Sequence, residues 1–167
     1  MKRVLITGMS GTGKSAVVEE LVTRGYRALD LDTQEWSHWV DTDPSDPFTP
    51  AKAKDWIWRE DRVRALLSEQ TDGSLFISGC AENMSRLLPL IDLVILLSAP
   101  ADTIMQRLER RSIDGYGHAE EQREKVARLI ATIEPSLRRI ADREIDTTRS
   151  VQATADEVLE ISGERRG

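Results

Sequence analysis

The sequence predicts an α/β fold, a parallel sheet covered by helices on both faces, and three observations carry that expectation. Short β-branched, apolar runs alternate with segments of helical periodicity along the chain. The first run, Val4-Leu5-Ile6-Thr7, leads straight into a glycine-rich stretch and then a helical pattern carrying Ala16, Val17, Leu21 and Val22. The 167 residues suit one domain with a proper core, read here as a single domain over 1–167.

Gly25 is placed to stop the first helix. Tyr26 to Leu31 forms a second strand, at whose end Asp30 and Asp32 flank Leu31. A short helix with Trp36 and Trp39 is expected next, and then a loop, since Asp41 to Pro50 holds three prolines in ten residues. Lys52 to Gln70 is expected to be helical, with Trp56, Val63, Leu66 and Leu67 near one face. Thr71-Asp72-Gly73 turns the chain into a third strand, Leu75 to Ser78, broken at Gly79. Asp92 to Leu97 is the fourth strand, Thr103 to Arg111 a helix, and Ser112 to His118 a glycine-bearing loop. A long helical stretch from Ala119 to Ala141 is interrupted near Pro135, Glu144 to Asp146 makes a fifth strand, and Thr154 to Ile161 a last helix. In such sheets ligands bind beyond the carboxyl ends of the strands. That rule lines up residues 8–15, Asp30, Asp32, Gly79 and the segment after Asp146 along one rim.

Composition narrows the function classes. The net charge of −6 argues against a broad nucleic-acid surface. The single cysteine, Cys80, excludes an internal disulfide and fits a reducing, cytoplasmic compartment. The longest apolar run, Leu93 to Leu97, is strand-sized, and Met1-Lys2-Arg3 precedes a run too short for a signal peptide, so no membrane association is expected.

Gly8-Met9-Ser10-Gly11-Thr12-Gly13-Lys14-Ser15 matches G-x-x-x-x-G-K-[ST], the phosphate-binding P-loop. Strand, glycine loop and helix in this order aim backbone N–H groups and a helix N-terminus at a phosphate. Gly8, Ser10, Gly11, Thr12 and Gly13 then cradle the nucleotide, Lys14 reaches the β- and γ-phosphates, and the Ser15 hydroxyl holds Mg²⁺. Asp30 and Asp32 are two apart on a strand and address one site. One carboxylate can act on Mg²⁺, directly or through water, and the other can take a proton from an acceptor hydroxyl. Asp32 is expected in both the metal and the base role, with Asp30 behind it or on metal-bound water. The other reading of Asp32 is an N-cap for the segment from Thr33.

Arg107, Arg110 and Arg111 recur at helical spacing before the glycine-bearing loop. Arg110 and Arg111 are the candidates for stabilising a transferring phosphoryl group, in a lid spanning about 107–120; a solvated helix face is the alternative. All four tryptophans fall between Trp36 and Trp58. They are either packing residues or the walls of an acceptor pocket within about 33–70, lined by Trp36 and Trp56, with Arg59 or Arg62 as an anion clamp. Gly79 and Cys80 lie at a strand end beside that pocket, where Cys80 is either lining or packed. His38 and His118 form no zinc pattern, and His118 in the loop could touch phosphate.

With these residues in place the chain resembles the small P-loop kinases, the group holding shikimate kinase, gluconate kinase and the nucleoside monophosphate kinases, and shikimate kinase above all. The likeness runs through Asp30-Leu31-Asp32, Ser78-Gly79-Cys80, the arginines at 107–111, and the stretch from Glu134-Pro135 to Thr147. It implies a P-loop NTPase fold with a five-stranded parallel sheet of order 2-3-1-4-5, flanking helices and a short lid. It further implies ATP and Mg²⁺, adenine packed by Arg110 and bordered by Thr147, Thr148 and Arg149, and an acceptor near Asp30, Asp32, Gly79 and Cys80. The chain departs from shikimate kinases in ways that argue against shikimate as acceptor. One glycine stands where they have three, Trp56 and Ile133 replace two clamp arginines, and Asp114 to Gly117 replaces an Arg-Pro pair.

The expected activity is transfer of the ATP γ-phosphoryl group to a small acceptor, an alcohol or a phosphate. The alternative is an adenine-nucleotide-dependent switch ATPase without an acceptor; no N-K-x-D or D-x-x-G sequence points to a GTPase. Monomer and homodimer both stay open.

Overall fold

The computed structural model describes residues 1–42, 54–111 and 120–164. Among these residues seven strands form two sheets. β1 (Arg3–Thr7), β2 (Arg27–Asp30), β5 (Leu75–Ser78), β6 (Leu93–Ser98) and β7 (Arg143–Asp146) build a five-stranded sheet of order β2-β5-β1-β6-β7. Every pairing in it is parallel. Counting the parallel strands alone, this is the expected 2-3-1-4-5. β3 (Ser37–Asp41) and β4 (Lys54–Trp58) form a separate antiparallel hairpin inserted after β2.

Alternation along the central strands explains why both faces need cover. Val4 and Ile6 of β1, with Phe76, Ile95 and Leu97 from its neighbours, pack under α1 (Lys14–Thr23) and α5 (Val151–Ser162). Leu5, Ile77 and Leu96 face the other way, under Val63, Leu66 and Leu67 of α2 (Glu60–Ser68) and Leu137 of α4 (Glu120–Ile140). Trp58 is the largest fully buried side chain and belongs to this second cluster. α3 (Ala101–Arg111) follows β6 and packs on α4 through Ile104, Met105 and Val126.

Four expectations need correction. The segment with Trp36 and Trp39 is not a helix; Ser37 to Asp41 is β3, paired with β4. The helix expected from Lys52 begins at Glu60, because Trp56, Ile57 and Trp58 spend their β-preferring side chains in the hairpin, where Trp39 meets Trp56 edge-on at 5.1 Å. α4 runs through Pro135 rather than breaking there. Leu137 and Val126 anchor it at both ends, and this packing outweighs the bond that proline cannot donate to Ala131. The last helix starts at Val151, three residues earlier than expected, where the Ser150 hydroxyl caps the Ala153 N–H.

Candidate functional site: a glycine loop facing two aspartates

Residues 8–13 leave β1 as the glycine loop and enter α1 through Gly13, which adopts a left-handed conformation and gives no side-chain cap. No acidic side chain occupies the first turn either. The uncapped N–H groups and the positive end of the helix therefore face outward together, as an anion site requires. Glycine is mandatory at position 8. Its φ is +152°, and a Cβ there would come 2.5 Å from the Leu97 carbonyl oxygen and 2.8 Å from Thr12 Oγ1. Thr12 Oγ1 donates to the Met9 carbonyl at 2.7 Å and closes the loop on itself, with Ser10 exposed at the tip.

Lys14 lies along the loop, its Nζ donating to the carbonyls of Gly8 (2.7 Å) and Met9 (3.0 Å). Burial pushes its ammonium below the ordinary lysine range, and the nearby charge of Asp32 acts against that shift. Ser15 Oγ donates to Asp30 Oδ2 at 2.8 Å. Asp30 is thus the direct partner of Ser15, and its Oδ1 accepts the Asp32 backbone N–H at 3.0 Å, holding the strand end in shape.

Asp32 sits deeper. Its Oδ1 accepts the Trp58 indole N–H at 3.4 Å and its Oδ2 the Cys80 backbone N–H at 3.3 Å. Burial raises its carboxyl above the usual range, while Lys14 and the Trp58 N–H pull the other way. Gly79 makes this close packing feasible: at φ +153°, its Cβ position lies 2.9 Å from Asp32 Oδ1 and 3.0 Å from Trp58 Cζ2. The Cys80 thiol, half-buried, is pushed up by burial.

On the other side of the loop a cavity of about 250 Å³ is lined by Thr12, Gly13, Arg107, Arg110, Arg111 and Arg149, among others. Arg110 and Arg111 stand exposed on the last turn of α3. Arg107, one turn back, is the fixed one. It donates to the Gly11 carbonyl (3.3 Å), to Thr147 Oγ1 (3.0 Å) and to the Thr147 carbonyl. Thr147 Oγ1 in turn donates to the Thr12 carbonyl at 2.8 Å, so α3, the glycine loop and the end of β7 are clasped together. Arg149 is held by Glu157, whereas Thr148 turns its hydroxyl onto Asp146 at 2.5 Å.

The tryptophans divide. Trp58 is wholly buried against Asp32, and Trp36 is half-buried against the second core cluster. Trp56 is half-buried in the hairpin, against an exposed Trp39. Arg59 is not brought to Asp32. Its guanidinium meets the Gln34 carbonyl and His38 Nδ1, both at 3.4 Å, and His38 lies on the hairpin face opposite the Trp58 indole. Arg62 likewise donates to the Glu35 carbonyl at 2.6 Å. The expected lid loop with Gly115, Gly117 and His118 lies outside the described residues, as do Asp43 and Asp46 of the proline-rich loop.

Trp58, Arg107 and Asn83 build the site, although the sequence favours Trp36 and Trp56 over Trp58 and Arg110 and Arg111 over Arg107. The signal for Trp58 was the i, i+2 spacing of Trp56 and Trp58 around Ile57, a strand period. Asn83 left no signal: its amide accepts the Trp58 N–H at 3.0 Å and donates to the Trp58 carbonyl at 2.9 Å, a contact between segments distant in sequence.

Among the described residues no helix is long and apolar enough to cross a membrane. No curated protein matches the sequence significantly. The fold is shared with solved structures at low identity. Shikimate kinase from Acinetobacter baumannii, in complex with shikimate, aligns with 96% of this chain and 92% of its own at 17% identity and a TM-score of 0.64. Shikimate kinase from Bacteroides thetaiotaomicron aligns over 96% and 97% at 13% identity and 0.56. TT1252 from Thermus thermophilus aligns over 99% and 98% at 18% identity and 0.57. The architecture is therefore that of the shikimate-kinase-like P-loop kinases. Residues 4–130, most of the chain and all of the glycine loop and its two aspartates, match the model of the AAA domain family, and the chain belongs to that family.

Proposed function

We propose that this protein is an ATP-dependent small-molecule kinase that transfers the γ-phosphoryl group to an acceptor hydroxyl. The observation that carries the reading is the placement of Asp32. It is a half-buried carboxylate that accepts from two neutral N–H donors and feels the nearby charge of Lys14. A carboxylate at that position can take the proton of an attacking hydroxyl, and acceptor-dependent turnover separates a kinase from an ATPase that uses the same group on water.

The two carboxylates divide the work. Ser15 Oγ and Asp30 Oδ2, 2.8 Å apart, are hard oxygen donors suited to Mg²⁺, Ser15 directly and Asp30 through water. Mg²⁺ bound there supplies charge neutralisation on the β- and γ-phosphates. The loop N–H groups and the α1 N-terminus orient the phosphates, and Lys14 exchanges its bonds to the Gly8 and Met9 carbonyls for phosphate oxygens. Arg110 and Arg111, exposed beside the cavity, reach the transferring group, and Arg107 with Arg149 walls the adenine side. Asp32 accepts the acceptor's proton as its oxygen forms the new P–O bond. The β–γ bridging bond breaks with its electron pair leaving on ADP. Positioning and charge stabilisation supply most of the acceleration. Residues 33–70 form the acceptor region and about 107–120 the lid of a single domain.

The test is ATP-to-ADP conversion with Mg²⁺ against nucleosides, nucleotides, sugars, sugar acids and shikimate. An acceptor that accelerates turnover many-fold supports the reading, provided that Lys14→Ala abolishes it and stays folded. Wild-type turnover in Lys14→Ala, or ATP hydrolysis indifferent to every acceptor, overturns it.

A further inference from the structure

The hairpin has two unlike faces. In the β3–β4 register Ser37 opposes Trp58, Trp39 opposes Trp56 and Asp41 opposes Lys54, so these six side chains share one face. His38, Val40, Asp55 and Ile57 share the other. At the inner end of the first face the Trp58 indole touches Asp32. One pair further out, about 7 Å along the strands, stand Trp39 and Trp56, their rings 5.1 Å apart at 60°. Trp39 is 62% exposed, although burying an indole is worth several times more than leaving it in water.

The charges complete the picture. Arg59 and Arg62, the cations nearest in sequence, are turned to the opposite face and bonded to His38 and to backbone carbonyls of the 34–35 turn. Lys54, at the outer end of the aromatic face, is paired with Asp41 at 3.8 Å. Lys14 and Arg111 belong to the phosphate end. An anionic acceptor entering along this face would therefore meet the Asp32 carboxylate with no guanidinium to offset it among the described residues, an unfavourable exchange in a partly desolvated setting.

We propose that the acceptor is an uncharged alcohol whose planar ring stacks on the Trp39–Trp56 pair, one residue pair out from Trp58, while its hydroxyl reaches Asp32. A compact alcohol in which a few bonds separate ring and hydroxyl, as in a nucleoside or an aryl diol, suits that neighbouring placement. The inference rests on the kinase reading above and adds the charge, ring and reach of the substrate.

The experiment is calorimetric binding in the presence of a non-hydrolysable ATP analogue, with thymidine and 2-phenylpropane-1,3-diol as neutral ring-bearing probes. Shikimate and gluconate serve as anionic probes and myo-inositol as a neutral one without a planar aromatic ring. At least one ring-bearing probe binds, and more tightly than the other three. Trp39→Ala, at an exposed position that leaves the core intact, weakens that probe about three- to tenfold while the ATP analogue binds as before, and Trp39→Phe restores most of the loss. Tighter binding of shikimate, gluconate or myo-inositol, no binding by either ring-bearing probe, or unchanged affinity in Trp39→Ala overturns the proposal. The two readings fail separately. An enzyme whose turnover needs Lys14 but takes only anionic acceptors or ones without a planar aromatic ring sinks the substrate class alone, whereas acceptor-independent hydrolysis removes the kinase beneath it.

Discussion

The Trp58 indole N–H donates to Asp32 Oδ1 at 3.4 Å, so a buried aromatic side chain joins the Cys80 backbone N–H in holding the carboxylate that would act as base. This donor holds the Asp32 carboxyl lower than burial alone would leave it. Trp58→Phe removes the donor and keeps an aromatic ring. The Asp32 carboxyl then rises further, and the acid limb of the pH–rate profile moves to higher pH. The lost volume also costs about 1–3 kcal/mol of stability. A limb that stays in place would show that Asp32 is not the titrating base.

Asp32→Asn is expected to lower turnover by about 10²–10⁴-fold, the usual contribution of a positioned base. Stability gives a second readout. Because burial raises the Asp32 carboxyl, the folded state keeps a proton, between the ordinary aspartate value and the raised one, that the unfolded chain has released. Stability therefore falls as pH rises through that window. The asparagine variant lacks this dependence, so its melting temperature should vary less with pH in the weakly acid range than that of the parent.

Gly79→Ala tests the packing beneath the site. The added methyl would sit 2.9 Å from Asp32 Oδ1 and 3.0 Å from Trp58 Cζ2, at a backbone conformation that alanine resists. A destabilisation of about 2–3 kcal/mol is expected, read as a melting temperature lower by about 4–10 °C. Gly25→Ala shares the positive φ but meets no atom within 4 Å, and should cost less.

Arg107→Ala cuts the clasp between α3, the glycine loop and Thr147. ADP affinity, measured by calorimetry, should fall about tenfold, with a stability loss of about 1–2 kcal/mol. Arg110→Ala, at an exposed side chain, should leave stability unchanged and act on turnover. If Arg107→Ala leaves ADP binding intact, the clasp is packing alone.

The parallel sheet and the phosphate loop were legible because their signals are local. Val4 to Thr7 reads as a strand whatever surrounds it, and the spacing from Gly8 to Ser15 carries its own mechanism. The hairpin was not. Trp39 and Trp56 form one cross-strand pair across a gap that includes a proline-rich loop, and the apolar positions from Trp56 to Leu67 also fit a helical period. Local spacing could not arbitrate what a distant partner decides. The arginines show the same limit. Helical spacing made Arg107, Arg110 and Arg111 equivalent, and only the approach of Thr147 singles out Arg107. Arg59 looked like an anion clamp until the register turned it toward His38.

The Asn83 side chain grips the Trp58 backbone from both sides and ties the hairpin to the turn after β5. The glycine loop, Lys14 and Ser15 draw their positions from β1 and α1, the hairpin reaches the end of β2 through the Trp58 indole on Asp32 and the Ser37 hydroxyl on the Leu31 carbonyl, and Trp39 and Trp56 stand one pair beyond those ties. The hairpin thus behaves as an exchangeable cassette. A lineage could rewrite Trp39 and Trp56 to accept a new alcohol while keeping Asn83, Trp58 and Gly79, and the donor half of the reaction would never register the change.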